Sequence, residues 1–472
     1  MTPSAAIILA AGQGTRMRSR LPKVLHPLAG RPMIEHVLLA VAETGASPAI
    51  VVVGHGAAAV EALLEDRAGT LTVRQTAQLG TADAVRVALD QVPAGTRSVL
   101  VTMGDAPLLP GELLAALHTE HVASGAVMTL LSVQVADASG YGRIVRDPTG
   151  AVTEIREEAQ LDDATRDISE VNAGSYCFDL AWLCEALPRV ETSPAGELYI
   201  TDLLGMAVAD GRRTAVVTGH EADVAMGIND RVALARAEVV LQRRIAERHM
   251  RAGVTIVDPA STRIDATVEI GQDARIEPGS TLLGHAIIGD DAIIGPNAYV
   301  ADSRIGPRTR VWASVVEASV VAEDVEIGPY SHLRPGCEIG PGCRIGNYAE
   351  IKHSRLGADT QQHHFSYLGD ASVGERVNVG AGTVTANFDG SLKHPTTIGD
   401  DVFLGVDTML RAPITIGAGA KTGAGAVVTR DVAPGTTVVG MPARPIQLRR
   451  RRAATIAEPT SQPGGSPTPH DA

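Results

Sequence analysis

The stretch EIGPGCRIGNYAEIKHSRLG, residues 338–357, sets Ile339, Ile345 and Leu356 each directly before a glycine. The same aliphatic–glycine pair recurs at Ile270, Ile288, Ile294, Ile305, Ile327, Leu368, Val373, Val379, Ile398, Leu404 and Ile416. Most gaps are multiples of six or one residue off. A six-residue aliphatic repeat predicts a β-helix, in which each hexapeptide makes one flat face, the aliphatic side chain points inward and small residues let the chain turn. Ordinary glycine-rich loops do not keep such a register from residue 270 to residue 416. The polar run TANFDGSLKHPTT, Thr385–Thr397, interrupts it, and an insertion into a rigid solenoid extrudes as a loop.

Upstream the pattern is different. Short aliphatic runs at Ala5–Leu9, Ala49–Val53, Ser98–Met103 and Thr214–Val217 predict strands, and Met33–Thr44 and Thr81–Gln91 predict helices between them. That alternation means an α/β domain with a mostly parallel sheet, whose ligands sit at the carboxyl ends of the strands. Asn229–Gly253 reads as one unbroken helix, with Asn229 and Asp230 as caps and Gly253 as the stop. The chain thus divides into a domain at 1–228, a linker helix at 229–252 and a solenoid at 253–447. From Leu448 onward, the Arg449–Arg452 run and a Pro/Ser/Gly-rich tail to residue 472 read as disordered.

Composition narrows the function. The 472 residues exceed one ordinary core, and a 44% hydrophobic, 20% charged chain is of the soluble globular class. Only 3% of residues are aromatic, against 49 glycines, which suits tight repetitive β packing. A formal charge of −13 excludes nucleic acid as the main partner, because phosphate backbones reward excess Lys and Arg. Cys177, Cys184, Cys337 and Cys343 lack CxxC or His-linked spacing, so neither a disulfide scaffold nor a zinc site is indicated. AAIILAAG near the start lacks a basic flank and runs into a polar loop, so it reads as a strand. No apolar run is long enough to span a bilayer, and no membrane partner is expected; the reading is a cytoplasmic protein.

The first strand leads into LAAGQGTRM, residues 9–17, and then Pro22-Lys23. Small residues let backbone N–H groups approach phosphate oxygens, and Arg16 and Lys23 answer negative charge on phosphorus. The run is neither GxGxxG nor a P-loop. Taken alone, Asp105 reads first as a turn-former after a strand and Asn229 as a helix N-cap. The string LAAGQGTRM…LPKVL is similar to sugar-1-phosphate nucleotidylyltransferases. With QLGTADAV (78–85), MGDAPLL (103–109), GYGRI (140–144), GELYITD (196–202) and the hexapeptide half, the chain from about residue 5 to 445 resembles the bifunctional N-acetylglucosamine-1-phosphate uridyltransferase/glucosamine-1-phosphate acetyltransferases.

That resemblance implies a Rossmann-like nucleotidyltransferase domain followed by a left-handed parallel β-helix, assembled as a homotrimer. It implies two reactions: acetylation of glucosamine-1-phosphate by acetyl-CoA, then Mg²⁺-dependent transfer of a uridylyl group from UTP to N-acetylglucosamine-1-phosphate. It assigns Leu9, Ala10, Ala11, Gly12, Gln75, Gly80, Thr81, Met103 and Gly104 to substrate binding, and Arg16 and Lys23 to the triphosphate. Asp105 and Asn229 would share the Mg²⁺, and Gly142, Glu157 and Asn172 would hold the N-acetylated sugar. Met103, Ala159 and Ala173 depart from common versions of this pattern.

In the solenoid, Arg334, Lys352, His364, Tyr367 and Asn378 fall on successive repeats. Residues about 18 apart stack in a three-faced helix, so Arg334 and Lys352 read either as a paired phosphate site or as a solvated ladder of charge. The resemblance makes His364 the general base, Arg334 and Lys352 phosphate ligands, and Tyr367 and Asn378 sugar contacts. It places Ala381, Asn387, Phe388, Val406 and Ala424 at acetyl-CoA; Phe388, Val406 and Met441 are departures, and Arg444 can stand in for a missing charge. His363 receives no role: in an extended segment neighbouring side chains face opposite ways, so only one of the two histidines would face the groove.

Overall fold

The computed structural model describes residues 4–194 and 196–446. The Arg449–Arg452 run and the tail beyond it lie outside the described residues. The chain forms two compact units, residues 1–335 and 336–472.

In the first unit, strand Ser4–Ala10 pairs in parallel with Ala49–Val53 on one side and Ser98–Met103 on the other. Thr70–Arg74 extends the parallel block beyond Ala49–Val53. The expected strands are all present, and helices Met33–Glu43 and Thr81–Leu89 match the expected ones within two residues. The sheet is less parallel than its alternation implied. Glu170–Asp179 enters antiparallel between Ser98–Met103 and Met128–Gln134, and Thr214–Gly219 closes that edge. A hairpin, Arg143–Arg146 with Val152–Arg156, feeds this strand, so no crossover helix is needed. Its register slips between Asn172 and Tyr176, where Gly174 takes φ 71°; such a bulge re-aims side chains beside a site.

Two apolar clusters cover the sheet's two faces. Ile34, Val37, Leu38, Leu114 and Leu117 from helices Met33–Glu43 and Gly111–Ser124 cover one. Val85, Trp182, Leu183, Leu203 and Leu204 cover the other.

The linker helix runs Arg231–Arg251 rather than from Asn229. Asp230 is its cap: the carboxylate accepts the Ala233 N–H at 2.8 Å. Asn229 therefore stands before the helix with its side chain free of capping duty. The helix packs Ala237, Val240 and Leu241 against Leu28, Met33, Leu108 and Ile228. The same compact unit takes in the coils up to Pro335, and the Pro27–Leu28/Arg31–Pro32 hairpin grips the first of them. Ala266 N–H donates to Ala29 O at 2.9 Å, and Ala29 N–H donates to Glu238 of the helix at 2.9 Å. A Cβ on Gly30 would sit 2.5 Å from the Asp265 carboxylate, so only glycine lets the hairpin close.

Each unit contains coils of short parallel strands in three stacks, the arrangement of a left-handed parallel β-helix. In the first unit Ile276 pairs with Ile294, Leu282 with Val300 and Ile288 with Ile305. In the second, Ile351 pairs with Leu368, Leu356 with Val373 and Val379 with Leu404. These side chains are all buried, as the repeat requires. Coil length is not constant: partners are 18 residues apart at Ile264/Leu282, 16 at Val300/Val316 and 17 at Ile351/Leu368. An 18-residue spacing such as that of Arg334 and Lys352 therefore does not by itself define a stacked pair.

Two candidate active sites

Strand Ser4–Ala10 ends in a loop whose Gly14 has φ 61°, and a Cβ there would meet the Lys23 side chain at 2.8 Å. The glycine thus lets the Lys23 turn fold back over the loop. Across the sheet, Gly104 N–H donates to Leu9 O at 2.9 Å, which sets Asp105 opposite the loop. Ile228 N–H donates to Asp105 O at 2.9 Å, which brings Asn229 alongside. The Lys23 ammonium donates to the Asp105 carboxylate and, at 3.2 Å, to Asn229 Oδ1. The ion pair is largely shielded, with side-chain exposures of 13% and 20%.

This point lies in a cleft of about 610 Å³. Leu9, Ala10, Ala11, Gly12, Arg16, Lys23, Gln75, Gly80, Thr81, Met103, Asp105 and Asn229 all line it, so most of the residues expected at the nucleotide meet. Gly104 stands just behind them. Gly80, at φ 119°, abuts the 196–201 segment: a Cβ would meet Leu198 O at 2.5 Å. Ala82 N–H donates to Leu198 O, and Ile200 N–H donates to Thr81 Oγ1, both at 3.0 Å. The Gln75 amide nitrogen donates to Asp83 at 2.8 Å and to Gly80 O at 3.1 Å, which orders the side chain at the cleft wall.

Gly142, Glu157 and Asn172 form a second group on the antiparallel side. Asn172 N–H donates to Gly142 O at 2.9 Å, and a Cβ on Gly142 would lie 3.4 Å from Glu157 Oε2. Burial pushes the Glu157 carboxyl above its ordinary pKa, the Thr201 hydroxyl pulls it down, and Asp202 and Glu197 push it up. Met103 joins the two groups: it lines the cleft and also approaches Gly174, within the bulge beside Asn172.

Sequence reasoning missed Gln78, whose amide donates to Ala11 O at 2.8 Å and braces the glycine-rich loop. It also missed Thr201, which donates to Glu157 at 2.9 Å. Both lie inside motifs that were legible, QLGTADAV and GELYITD. The signal existed, but its hydrogen-bond partners did not.

In the second unit Lys352 ends strand Ala349–Lys352, and Tyr367 lies in Ser366–Gly369, one coil on. Glu350 is the register partner of Tyr367, and Lys352 that of Gly369. The Tyr367 ring folds over Gly369, where a Cβ would strike its hydroxyl. The buried Asn387 amide donates to Asp370 at 2.6 Å, and Asp370 pairs with His353 Nδ1 at 3.0 Å. Neither Asp370 nor His353 was singled out from the sequence. Asn378 pairs in register with Gln361 and Phe403.

His363 and His364 lie in a bend between strands Gln361–Gln362 and Ser366–Gly369, and both are exposed. The alternation argument, which needs an extended segment, therefore does not choose between them. Ala381, Val406 and Ala424 occupy one corner of three successive coils. Asp407 N–H donates to Ala381 O at 2.6 Å, and Gly425 N–H donates to Val406 O at 2.8 Å. The insertion after Ala386 is an ordered loop: Asp389 accepts from Ser391 N–H and Leu392 N–H and pairs with His394. Phe388 on this loop is exposed. Arg334 follows strand His332–Leu333 in the first unit, half-buried.

Among the described residues no cluster of three or more His, Cys, Asp or Glu could hold a metal, and no helix is long and apolar enough to cross a membrane. Residues 6–161 match the MobA-like NTP transferase domain family. Residues 267–302, 318–353 and 395–430 match the bacterial transferase hexapeptide family. The bifunctional protein GlmU of Heliobacterium modesticaldum is 45% identical over 435 residues, covering 92% of this chain and 94% of the relative. That of Trichlorobacter lovleyi is 45% identical over 441 residues, covering 93% and 96%. That of Streptomyces avermitilis is 44% identical over 443 residues, covering 93% and 92%. With such identity sustained through both the sheet domain and the coils, the chain belongs to the bifunctional GlmU family.

Proposed function

We propose that the chain makes UDP-N-acetylglucosamine in two steps. The coil site acetylates glucosamine-1-phosphate with acetyl-CoA, and the sheet-domain cleft joins N-acetylglucosamine-1-phosphate to the uridylyl group of UTP, releasing pyrophosphate. The pairing of these activities is that of the family, a bifunctional uridyltransferase and acetyltransferase. The observation that carries the assignment of the first site is the convergence of Lys23, Asp105 and Asn229 beside a glycine-rich loop. The functional divisions are 1–228, the linker at 229–252 and 253–447.

A carboxylate oxygen and an amide oxygen aimed at one cationic group make a locus for positive charge. That donor set fits Mg²⁺, which takes one or two protein oxygens and completes its shell with substrate phosphates and water. Asp105 and Asn229 would hold the ion, which supplies charge compensation on the phosphates when bound. Lys23 and Arg16 hold the triphosphate as the sugar phosphate oxygen attacks the α-phosphorus in line. Positioning and charge do this work, and no protein nucleophile is required. Ala11, Gly12, Gln75, Gly80 and Thr81 hold the uridine nucleotide; Gly142, Glu157 and Asn172 hold the sugar.

At the coils, His364 takes the proton from the attacking amine, and an amine attacking a thioester needs no acyl-enzyme. Lys352 holds the sugar phosphate, Arg334 keeps the phosphate role the resemblance implies, and Tyr367 and Asn378 meet the sugar. The shared corner of Ala381, Val406 and Ala424, with Asn387 and Phe388 beside the loop, supports an elongated acetyl-CoA groove. The chain acts as a cytoplasmic homotrimer. Incubation with glucosamine-1-phosphate, acetyl-CoA, UTP and Mg²⁺ should release free thiol and pyrophosphate. Absence of thiol release would reduce the solenoid to a structural module.

A further inference from the structure

Gln362 breaks the repeat. Its inward position is filled by Ile345 on the preceding coil and by Val379 and Leu404 further along the stack, yet a fully buried amide stands there. Its Nε2 donates to Ser366 Oγ at 2.8 Å, and Ser366 Oγ donates to the main-chain oxygen of His364 at 2.9 Å. Its Oε1 has no hydrogen-bond partner among the described residues. A buried unpaired acceptor destabilises a fold, whereas an aliphatic side chain of similar size would be neutral or stabilising there. Local rules broken against stability are expected where function demands it.

We propose that Gln362 and Ser366 are positioning residues for His364, fixing the bend that presents its imidazole. The proposal rests on the reading of His364 as the general base. The imidazole is exposed, and it makes no hydrogen bond among the described residues; its ring lies 6.5 Å from that of His363 at an interplanar angle of 59°. With no hydrogen bond to the ring among the described residues, its placement depends on the main chain of the bend, which the next coil anchors at Phe365, whose oxygen accepts the Gly382 N–H at 2.7 Å. The hydroxyl of Ser366 ties that main chain down, and the Gln362 amide orients the hydroxyl by occupying one of its acceptor lone pairs, which leaves its proton for the His364 carbonyl. The order is amide to hydroxyl to carbonyl, each donor with one acceptor.

The test uses the full-length protein and five variants: Gln362→Leu, Ser366→Ala, Ser366→Thr, His364→Ala and the Gln362→Leu/Ser366→Ala double variant. Gln362→Leu and Ser366→Ala should each lower acetyl-transfer kcat roughly tenfold, the scale of a modest loss of orientation. KM for glucosamine-1-phosphate and acetyl-CoA and the whole uridylyl-transfer rate should stay put. The unfolding temperature of Gln362→Leu should be unchanged or higher, because the unpaired acceptor is gone. Ser366→Thr retains a hydroxyl and should keep the wild-type rate, and the Gln362→Leu/Ser366→Ala double variant should be no slower than either single one. A wild-type kcat in Gln362→Leu, or a loss that follows a lowered unfolding temperature, overturns the proposal. If His364→Ala is crippled while Gln362→Leu and Ser366→Ala are normal, the positioning role alone falls. A fully active His364→Ala enzyme removes the general-base reading and the positioning role with it.

Discussion

Lys23 reaches Asp105 across 82 residues of chain and Asn229 across 206, and the three side chains meet where the first strand ends. Removing one member leaves the others partly buried and unbalanced in the cleft proposed to take the triphosphate. Lys23→Ala or Asp105→Asn should therefore cut UTP-dependent pyrophosphate release by roughly 10²–10³ or more, the cost of losing a partner to transition-state charge. Acetyl transfer measured on the same preparation should hardly change; a parallel fall of both rates in a folded variant would reject separate sites. The histidine pair gives the second residue-scale prediction. General-base help is worth roughly 10²–10⁴-fold, so His364→Ala should lose that much acetyl-transfer kcat while His363→Ala stays near wild type. His363 has a partner of its own, Gln361 Oε1 at 3.2 Å, and His364 has none among the described residues, which leaves the latter's ring available to a substrate.

At the scale of elements, one residue separates a cap from a proposed ligand. Asp230 accepts the Ala233 N–H, and Asn229, directly before it, points at Lys23 instead. Asp230→Ala should cost about 1 kcal/mol of stability as a lost helix cap, read by urea unfolding, with little change in uridylyl transfer at saturating UTP. Asn229→Ala should do the reverse. Sequence reasoning assigned both residues to the helix start, because Asn and Asp are equally good caps and only the direction of the following turn separates their roles. The same limit applied to the bend at His363 and His364. Its neighbours read as strands, but a corner of the solenoid intervenes, and corners are placed by coil length.

Over the whole molecule, the exposed aromatics of the second unit are more than a monomer needs. Phe365, Phe388 and Phe403 stand 58%, 59% and 48% exposed in a chain with only four phenylalanines. Apolar side chains of that size gathered on one unit favour association. Light scattering should return three times the chain mass, and a stable monomer at working concentration would sink the trimer. Acid should weaken the first unit. Burial pushes His121 down to about 4, with His118 adding to the shift, and pushes His249 down to about 4 with help from Arg248. Both are neutral in the fold, whereas the unfolded chain protonates them below 6.5, so the unfolded state binds more protons through that window. Stability should rise from about pH 4 to about pH 6.5, with a slope of up to about 1.4 kcal/mol per pH unit from each group. His121→Gln and His249→Gln should each flatten that slope in urea titrations, and an unchanged slope would contradict the assignment.

What the sequence determined by itself was whatever short-range chemistry controls. Aliphatic residues at a six-residue period can be buried only by coiling, so the β-helix and its inward residues were legible before any contact was known. The aliphatic strands, the glycine-rich loop and the Lys23 turn were legible for the same reason, each within about a dozen residues. The extruded loop announced itself by breaking the period. Only the tertiary structure decided which distant residues meet. Ile228 N–H on Asp105 O brings Asn229 to the metal-binding candidate carboxylate, and the bulge at Gly174 sets Met103 beside Asn172. Ala381 and Val406 share a corner although the inserted loop separates them in sequence. Such meetings depend on strand register, insertion length and coils of 16, 17 or 18 residues. Register is settled by packing of the whole sheet or stack, and no local pattern carries it.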